Sequence, residues 1–352
     1  MKDPILDYEY KFFTSEAERL RHTENLRDEN FTFGKPNIKY LVLHSVTDGS
    51  RTLCIKVDHA SYDGTLLRIF DDQFKAICSG EDDIDVNHFK SFVNWTHSVD
   101  RDEVLDYWME TLDGYAPIHN LPLEPLADGL RFSEVNTNVD TVAANFGVTT
   151  STIFQAAYSL VVGKLSSTND VLVDNLLTGR NADVENPQTL NGTCANFLPF
   201  RSQISEDESV EQFLKDTQAH FWDTTDHGTV GLHDIYDALG KNRNVNSAKL
   251  LYCFQPFNPA PRGSTPDHIR WVVMAQSQVF MKINYALMVE VQKTVQGHKL
   301  KFQWDRRVLT VEQIDVLASL FDDILAGMGK LRDGKLVDLM STKSELDGVW
   351  KA

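Results

Sequence analysis

The amino-acid sequence predicts an α/β protein built from two lobes. Runs of β-branched and aromatic residues alternate along the chain with runs whose apolar residues recur at helical spacing. The 352 residues exceed what one small domain needs and suit two subdomains. A proline-rich stretch, APIHNLPLEPLADGL (116–130), interrupts the pattern between the halves. We therefore place a boundary near residue 126, with one lobe over 1–125 and the other over 126–352.

Two β-rich runs precede a helical run in the first half. KYLVLHSV (39–46) and TLCIKVD (52–58) each predict a strand, and Asp48-Gly49 between them predicts a hairpin turn. From Thr65 onward the apolar residues recur at helical spacing, which predicts a helix. The segment HASYDG is therefore the turn between a strand and a helix.

The second half repeats this mixture of strands and helices. Thr149 or Thr150 is suited to cap its first helix. Helices are predicted over 100–115, 149–165, 209–225 and 311–328, and strands over 170–177, 195–204, 249–257, 279–292 and 298–305.

The charge balance disfavours two classes of partner. Lys+Arg number 34 and Asp+Glu number 51, so the formal net charge is −17. Nucleic-acid binding needs a basic face, and attraction to anionic lipid needs a polybasic tract, which the sequence lacks. No run approaches the roughly 20 apolar residues of a membrane helix. We expect a protein that binds neither nucleic acid nor membranes.

The four cysteines are irregularly spaced and form no CxxC pair. They are Cys54, Cys78, Cys194 and Cys253. This pattern is typical of reduced, buried thiols in an intracellular protein, and not of disulfides or a zinc site. We expect the protein to be cytoplasmic.

The turn after the second strand carries the candidate chemistry. A neutral imidazole such as that of His59 accepts a proton from an amine or hydroxyl near pH 7. Asp63 is suited either to cap the following helix or to pair with a distant arginine. Gly64 allows the backbone to turn tightly and to come close to its neighbours. The pattern HxxxDG therefore predicts that His59 is the catalytic group and that Asp63 and Gly64 support it.

Asp58 does not strengthen this interpretation. It is adjacent to His59 in an extended run, so the two side chains are expected to point to opposite faces. Asp58 is therefore a poor candidate for orienting the imidazole. On the pattern alone a second interpretation stays open, in which His59 is an ordinary histidine at the end of a buried strand.

The sequence resembles the condensation domains of nonribosomal peptide synthetases. DHASYDG (58–64) is similar to the family's HHxxxDG motif with Asp58 in place of the first histidine. The resemblance runs from about residue 30 to 330 and implies two chloramphenicol acetyltransferase-like lobes with mixed sheets and flanking helices. Four further segments resemble family motifs in the family's order: FVNWTH (92–97), TGR (178–180), NGTCANFLPFR (191–201) and DHGTVGLHDI (226–235).

The resemblance implies an acyltransferase that uses a thioester. An acyl or peptidyl group arrives on the phosphopantetheine arm of a partner carrier (thiolation) domain, and an amine or hydroxyl attacks its carbonyl. His59 then accepts the proton or positions the nucleophile, and the Gly64 N–H faces the developing oxyanion at a helix N-terminus. The chain itself is expected to bind no cofactor and no metal, since the phosphopantetheine belongs to the partner.

The resemblance also implies supporting residues. Asp63 is expected to hold the turn through a charge-assisted bond to Arg180, which would be scaffolding and not catalysis. Asp58 and Asn196 are assigned to structural support.

Other residues have a functional and a structural interpretation. Ser61, Tyr62 and His227 are candidates for lining a substrate tunnel, although for His227 the favoured interpretation is a solvated or satisfied core histidine. Trp95 and Trp108 are expected to be core aromatics and not stacking platforms for substrate.

The sequence departs from the family pattern in two places. Asp58, together with NFLPFR (196–201), is similar to fungal terminal condensation-like domains, which commonly release peptides by cyclisation. Only 58 residues precede His59, so the N-terminal lobe is expected to be shortened. A truncated domain, a fragment of a larger synthetase and a reduced stand-alone relative all stay open.

We therefore expect amide or ester formation from a carrier-bound peptidyl or aminoacyl thioester, with intramolecular cyclisation favoured. Two alternatives stay open. One is a catalytically inactive docking module that keeps the fold. The other is a discrete acyltransferase that uses a soluble coenzyme A thioester. That class usually carries a late DFGWG-type motif, where this sequence reads LKFQWDRR (300–307).

Overall fold

The structure is a computed structural model that describes residues 8–118, 121–122, 124–240, 249–256, 284–341 and 345–350. The chain divides into two compact units. Among the described residues, unit 1 contains 8–92 and 184–194, and unit 2 contains the others. The placement of a lobe boundary near residue 126 stays a prediction.

The described strands and helices are mixed along the chain, as in an α/β fold. The strands are β1 (Tyr8–Phe13), β2 (Ile38–Ser45), β3 (Arg51–Val57), β4 (Asn87–His88), β5 (Gly129–Glu134), β6 (Asp170–Leu177), β7 (Leu190–Asn191), β8 (Asn196–Gln203), β9 (Leu250–Gln255), β10 (Leu287–Thr294) and β11 (Gly297–Trp304). The helices are α1 (Glu16–Asp28), α2 (Gly64–Cys78), α3 (Lys90–Ser98), α4 (Arg101–Thr111), α5 (Val139–Phe146), α6 (Thr150–Ser166), α7 (Val210–Asp226), α8 (Leu232–Ala238), α9 (Val311–Lys330) and α10 (Leu336–Met340).

Unit 1 is built on a three-stranded sheet in the order β1-β2-β3. β1 runs parallel to β2, and β2 and β3 form the predicted antiparallel hairpin. Gly49 in its turn has a φ of +71°, which explains the glycine at that position. Phe13, Leu41 and Leu43 form the small core of this sheet. The hairpin ends at the candidate turn, so this sheet fixes where the turn begins.

Unit 2 is built on a six-stranded mixed sheet in the order β5-β11-β10-β9-β6-β8. β9 runs parallel to both of its neighbours, and the other pairs are antiparallel. Helices α5, α6, α7 and α9 pack apolar side chains with strands of this sheet in one core. The mixed sheet with flanking helices that the sequence predicts for this part of the chain is confirmed.

Helix α6 lies at the centre of that core. Its residues 152–166 are all buried, and Lys164 is its one charged residue. Thr149 caps it, since the side-chain oxygen accepts a hydrogen bond from the Thr152 N–H. This outcome selects Thr149 from the two candidate caps.

The four cysteines are all free. Cys194 and Cys253 are buried as expected, whereas Cys54 and Cys78 are half-buried. No helix among the described residues is long and apolar enough to span a membrane.

Strand β5 has a glycine opposite a tryptophan of β11. A Cβ added to Gly129 would lie 2.5 Å from the indole of Trp304, which is the residue opposite it in the ladder. Gly129→Ala is therefore expected to lower the free energy of unfolding by about 1–3 kcal/mol through overpacking. Gly231→Ala is the matched control, because the nearest atom to its added Cβ is 3.8 Å away. Urea unfolding measures both, and equal stabilities for the two variants would contradict the prediction.

Candidate active site around His59

The candidate turn begins directly after β3. Residues His59–Ser61 form one turn of 3₁₀ helix, and Asp58 is the residue that precedes it. The Asp58 carboxylate accepts a hydrogen bond from the Ala60 N–H at 2.9 Å. The Asp58 side chain is therefore engaged by the backbone of the turn.

The imidazole of His59 is exposed and stacks on a neighbouring ring. Its plane lies 10° from that of Tyr62, with 4.4 Å between the ring centroids. Burial raises the pKa of the Tyr62 phenol, and the nearby Asp58 carboxylate adds to this effect. The phenol therefore stays neutral near pH 7, and its ring fixes the plane of an imidazole that is open to solvent.

Asp63 is the buried residue of the turn, with 7% of its surface exposed. One carboxylate oxygen, Oδ1, accepts from the Leu66 N–H at 2.6 Å and so caps α2. The other, Oδ2, accepts from the Cys194 N–H at 2.9 Å. Of the two roles that the pattern left open for Asp63, the helix cap is therefore confirmed. The bond to Arg180 joins residues of different units and stays a prediction.

Gly64 begins α2 and is exposed. The prediction that Gly64 is needed for a tight turn and a close approach to neighbouring atoms was wrong. Its φ is outside the left-handed region, and no atom of the described residues lies within 4 Å of an added Cβ. The physical reason is that Asp63, in extended conformation, already makes the turn into the helix. The role of the Gly64 N–H at an oxyanion stays a prediction.

The supporting residues predicted in the second half lie in unit 2. Arg180 is almost completely buried, with 2% of its surface exposed. Asn196 donates from Nδ2 to the carbonyls of Gly228 and Val230, at 3.0 and 2.8 Å. Asn196 therefore joins the start of β8 to the loop that follows α7, which is a structural role.

His227 ends α7 and is held on both sides of its ring. The imidazole stacks on Tyr107 with 3.7 Å between centroids, and its Nδ1 lies 2.7 Å from the Asp223 carbonyl oxygen. The indole N–H of Trp108 donates to the His227 carbonyl at 2.9 Å. Trp108 is fully buried, so its prediction as a core aromatic is confirmed. Trp95 is half-buried on α3.

Unit 2 contains two features that the sequence reasoning missed. Asp174 is buried on β6 and accepts hydrogen bonds from the hydroxyls of Tyr236 and Tyr285, at 2.8 and 3.0 Å. Asp174, Tyr236 and Tyr285 are far apart in the sequence, and no sequence motif connects them. The second feature is a cavity of about 340 Å³ lined by Tyr107, Thr111, Arg201, Gln203, His220 and Asp223.

Sequence comparisons place the chain in a family. A family model for the condensation domain matches residues 18–345. Two synthetases of Aspergillus fumigatus, nonribosomal peptide synthetase 7 and nonribosomal peptide synthetase sidE, are 37% and 38% identical over 335 and 338 residues. These alignments cover 94% and 93% of this chain but only 14% and 16% of the two synthetases.

Solved structures agree in fold. The crystal structure of holo T3CT has a TM-score of 0.75 at 18% identity and covers 95% of this chain and 78% of that chain. The first condensation domain of the calcium-dependent antibiotic synthetase, in complex with a substrate analogue, has a TM-score of 0.64 at 16% identity, with coverage of 95% and 78%. At these identities the likeness concerns the fold alone.

The family match extends over most of the chain and defines the class of protein, a condensation domain with the chloramphenicol acetyltransferase-like fold. The chain belongs to the condensation-domain family of nonribosomal peptide synthetases. The resemblance carried by the five motifs is thereby confirmed at the level of the family.

Proposed function

We propose that this condensation domain forms an amide, or an ester, from a peptidyl or aminoacyl thioester held on a carrier domain. The observation that carries the proposal is the exposed His59 imidazole, stacked on Tyr62 at the start of a helix capped by a buried Asp63. Intramolecular cyclisation with release of the peptide is the favoured version. Its support is Asp58 at the first motif position, which is similar to fungal terminal domains.

The proposed reaction is aminolysis of the thioester. The nitrogen of an amine attacks the thioester carbonyl, a C–N bond forms, and the C–S bond breaks. The proton lost by the amine passes to the unprotonated ring nitrogen of the His59 imidazole and then to the departing phosphopantetheine thiolate. Imidazole is suited to both transfers because its unperturbed pKa is near neutrality.

The partners in this proposal are a carrier domain and its thioester. The phosphopantetheine thiol would arrive from that domain, in the cytoplasm, with no cofactor or metal held by this chain. Asp63, Gly64 and Arg180 would support the reacting centre, and residues 1–125 and 126–352 would form the two lobes of the chain. Ser61 and His227 remain candidates for lining the substrate path.

Replacement of His59 tests the proposal. His59→Ala is expected to lower the rate of product formation by about 10²- to 10⁴-fold, the usual contribution of a positioned acid–base group. Mass spectrometry would follow peptidyl thioesters offered on a carrier domain, on short pantetheine mimics and on coenzyme A. His22→Ala is the matched control, since that histidine lies on α1 of the same unit and outside the motifs that resemble the family.

Each outcome separates one alternative. Equal rates for wild type and a folded His59→Ala variant would contradict the catalytic role. Turnover of the coenzyme A thioester in preference to the carrier-bound one would favour the discrete acyltransferase. If no thioester reacts, the docking module becomes the better explanation, which the use of Asp58 as a backbone cap also favours.

A further inference from the structure

A segment distant in sequence belongs to the same unit as the His59 turn. Residues 184–194 lie in unit 1, although more than a hundred positions separate them from that turn. The segment contains a 3₁₀ turn, Pro187–Thr189, followed by β7. Its last residue, Cys194, is buried and donates its N–H to Asp63 Oδ2 at 2.9 Å. Because the same Asp63 carboxylate also caps α2, the position of this segment affects how the carboxylate of the turn is held.

One side-chain amide holds the segment in place. Asn87 Nδ2 lies 3.1 Å from the Glu185 carbonyl oxygen, 3.0 Å from the Asn186 carbonyl oxygen and 3.2 Å from Thr189 Oγ1. Asn186 adopts a left-handed conformation with φ of +48°, which is uncommon for a residue other than glycine. Asparagine enters this region more readily than most other residues, and contacts from neighbouring groups then favour it. The Asn87 amide supplies such contacts to the carbonyls on both sides of the Asn186 nitrogen and Cα.

The chain around Asn87 adds two further contacts to the segment. β4, which contains Asn87, pairs in parallel with β7. A Cβ added to Gly192 would lie 2.1 Å from the ring of Phe89, so the segment passes this ring at a distance that only glycine permits. Helix α2 lies against β7 as well. The segment is therefore fixed by residues 87–89 and α2 before it reaches Asp63.

We infer that Asn87 is a positioning residue of the candidate active site, which it serves through residues 185–194 and the Cys194 N–H. The amide sets the path of the segment, the segment sets the Cys194 donor, and that donor together with the α2 cap fixes the Asp63 carboxylate. The turn that carries His59 is thereby held from its C-terminal side. The inference rests on the proposed function for its catalytic consequence, while the structural coupling can be measured separately.

Asn87→Asp is the variant that tests this inference. The carboxylate has the shape of the amide but cannot donate to the carbonyl oxygens of residues 185 and 186, and it repels them. Asn30→Asp is the matched control, because it makes the same change in charge at an exposed residue of the same unit. Hydrogen exchange of the Leu66 and Cys194 amides gives a readout without turnover. We expect exchange at both amides to be about tenfold faster in Asn87→Asp, and unchanged in α6.

Steady-state kinetics with the carrier-bound thioester gives the second readout. We expect kcat to fall about tenfold in Asn87→Asp with KM unchanged, because the substrate is bound as before while the reacting groups are displaced. Unchanged exchange at Leu66 and Cys194 would overturn the inference whatever the activity. Faster exchange with an unchanged kcat, in a wild type that turns over, would overturn it too. If the wild type forms no product, the proposed function fails, and the exchange result alone supports or overturns the coupling.

Discussion

Trp108→Ala is expected to lower the free energy of unfolding by about 3–5 kcal/mol, the usual cost of deleting a fully buried aromatic side chain. The indole lies in a core cluster with residues of α8, including Ile235 and Tyr236. Its N–H donates to the His227 carbonyl, so the truncation also leaves that carbonyl without its donor. Urea unfolding followed by circular dichroism measures the loss.

Two companion variants separate packing from hydrogen bonding at Trp108. Trp108→Phe keeps an aromatic ring and removes the N–H, so its cost is expected to stay near 1–3 kcal/mol. Trp222→Ala is the matched control, since that indole is 48% exposed on α7, and its cost is expected to stay within about 1 kcal/mol. Losses of similar size for Trp108→Ala and Trp222→Ala would show that Trp108 does not stabilise unit 2.

The elements that the sequence predicts correctly have a local signal. The β2–β3 hairpin has alternating β-rich runs and an Asp-Gly turn, and α6 has a capping threonine before a long apolar run. The family resemblance adds five short motifs in order, and the family match extends somewhat beyond the range from about residue 30 to 330. Local patterns and motif order are thus enough for the fold class and for the position of the His59 turn.

Several of the elements that the sequence does not predict lack such a signal. β4 and β7 have two residues each, and they pair across about a hundred positions of sequence. α1 is polar over most of its length, so no apolar stripe marks it. Most of β10 was predicted, but the beginning of that predicted run, 279–283, lies outside the described residues. Short or polar elements are defined by their tertiary partners, which a single sequence does not reveal.

The site could be predicted only in part, for a related reason. The capping role of Asp63 follows from its place before a helical run, and the structure bears it out. The second hydrogen bond that Asp63 accepts comes from the backbone N–H of Cys194. Every residue except proline has such an N–H, so nothing in the sequence identifies Cys194 as the donor. Gly64 shows the opposite error, because a glycine in a motif suggested a steric need that the backbone does not have.

The buried Asp174 carboxyl is expected to make the stability of unit 2 depend on pH. Burial raises its pKa to about 7 from an ordinary value of 3.8, although bonds from Tyr236 and Tyr285 oppose the shift. The folded state therefore holds the proton more tightly than the unfolded state does. The stabilisation is complete below about pH 3.8 and is lost as the pH rises through about 7. One pKa unit corresponds to about 1.4 kcal/mol, so the loss across this range is on the order of 4 kcal/mol.

Asp174→Asn is expected to remove this pH dependence. The amide has the shape of the carboxyl, accepts from one tyrosine hydroxyl and donates to the other, and carries no charge that burial would penalise. Urea unfolding between pH 5 and pH 8 should show the variant gaining stability relative to the wild type as the pH rises. Asp323→Asn, at an exposed position of α9, is the matched control and should keep the wild-type slope. Parallel curves for wild type and Asp174→Asn would mean that the two tyrosine hydroxyls stabilise the ionised carboxylate well enough to cancel the cost of its burial.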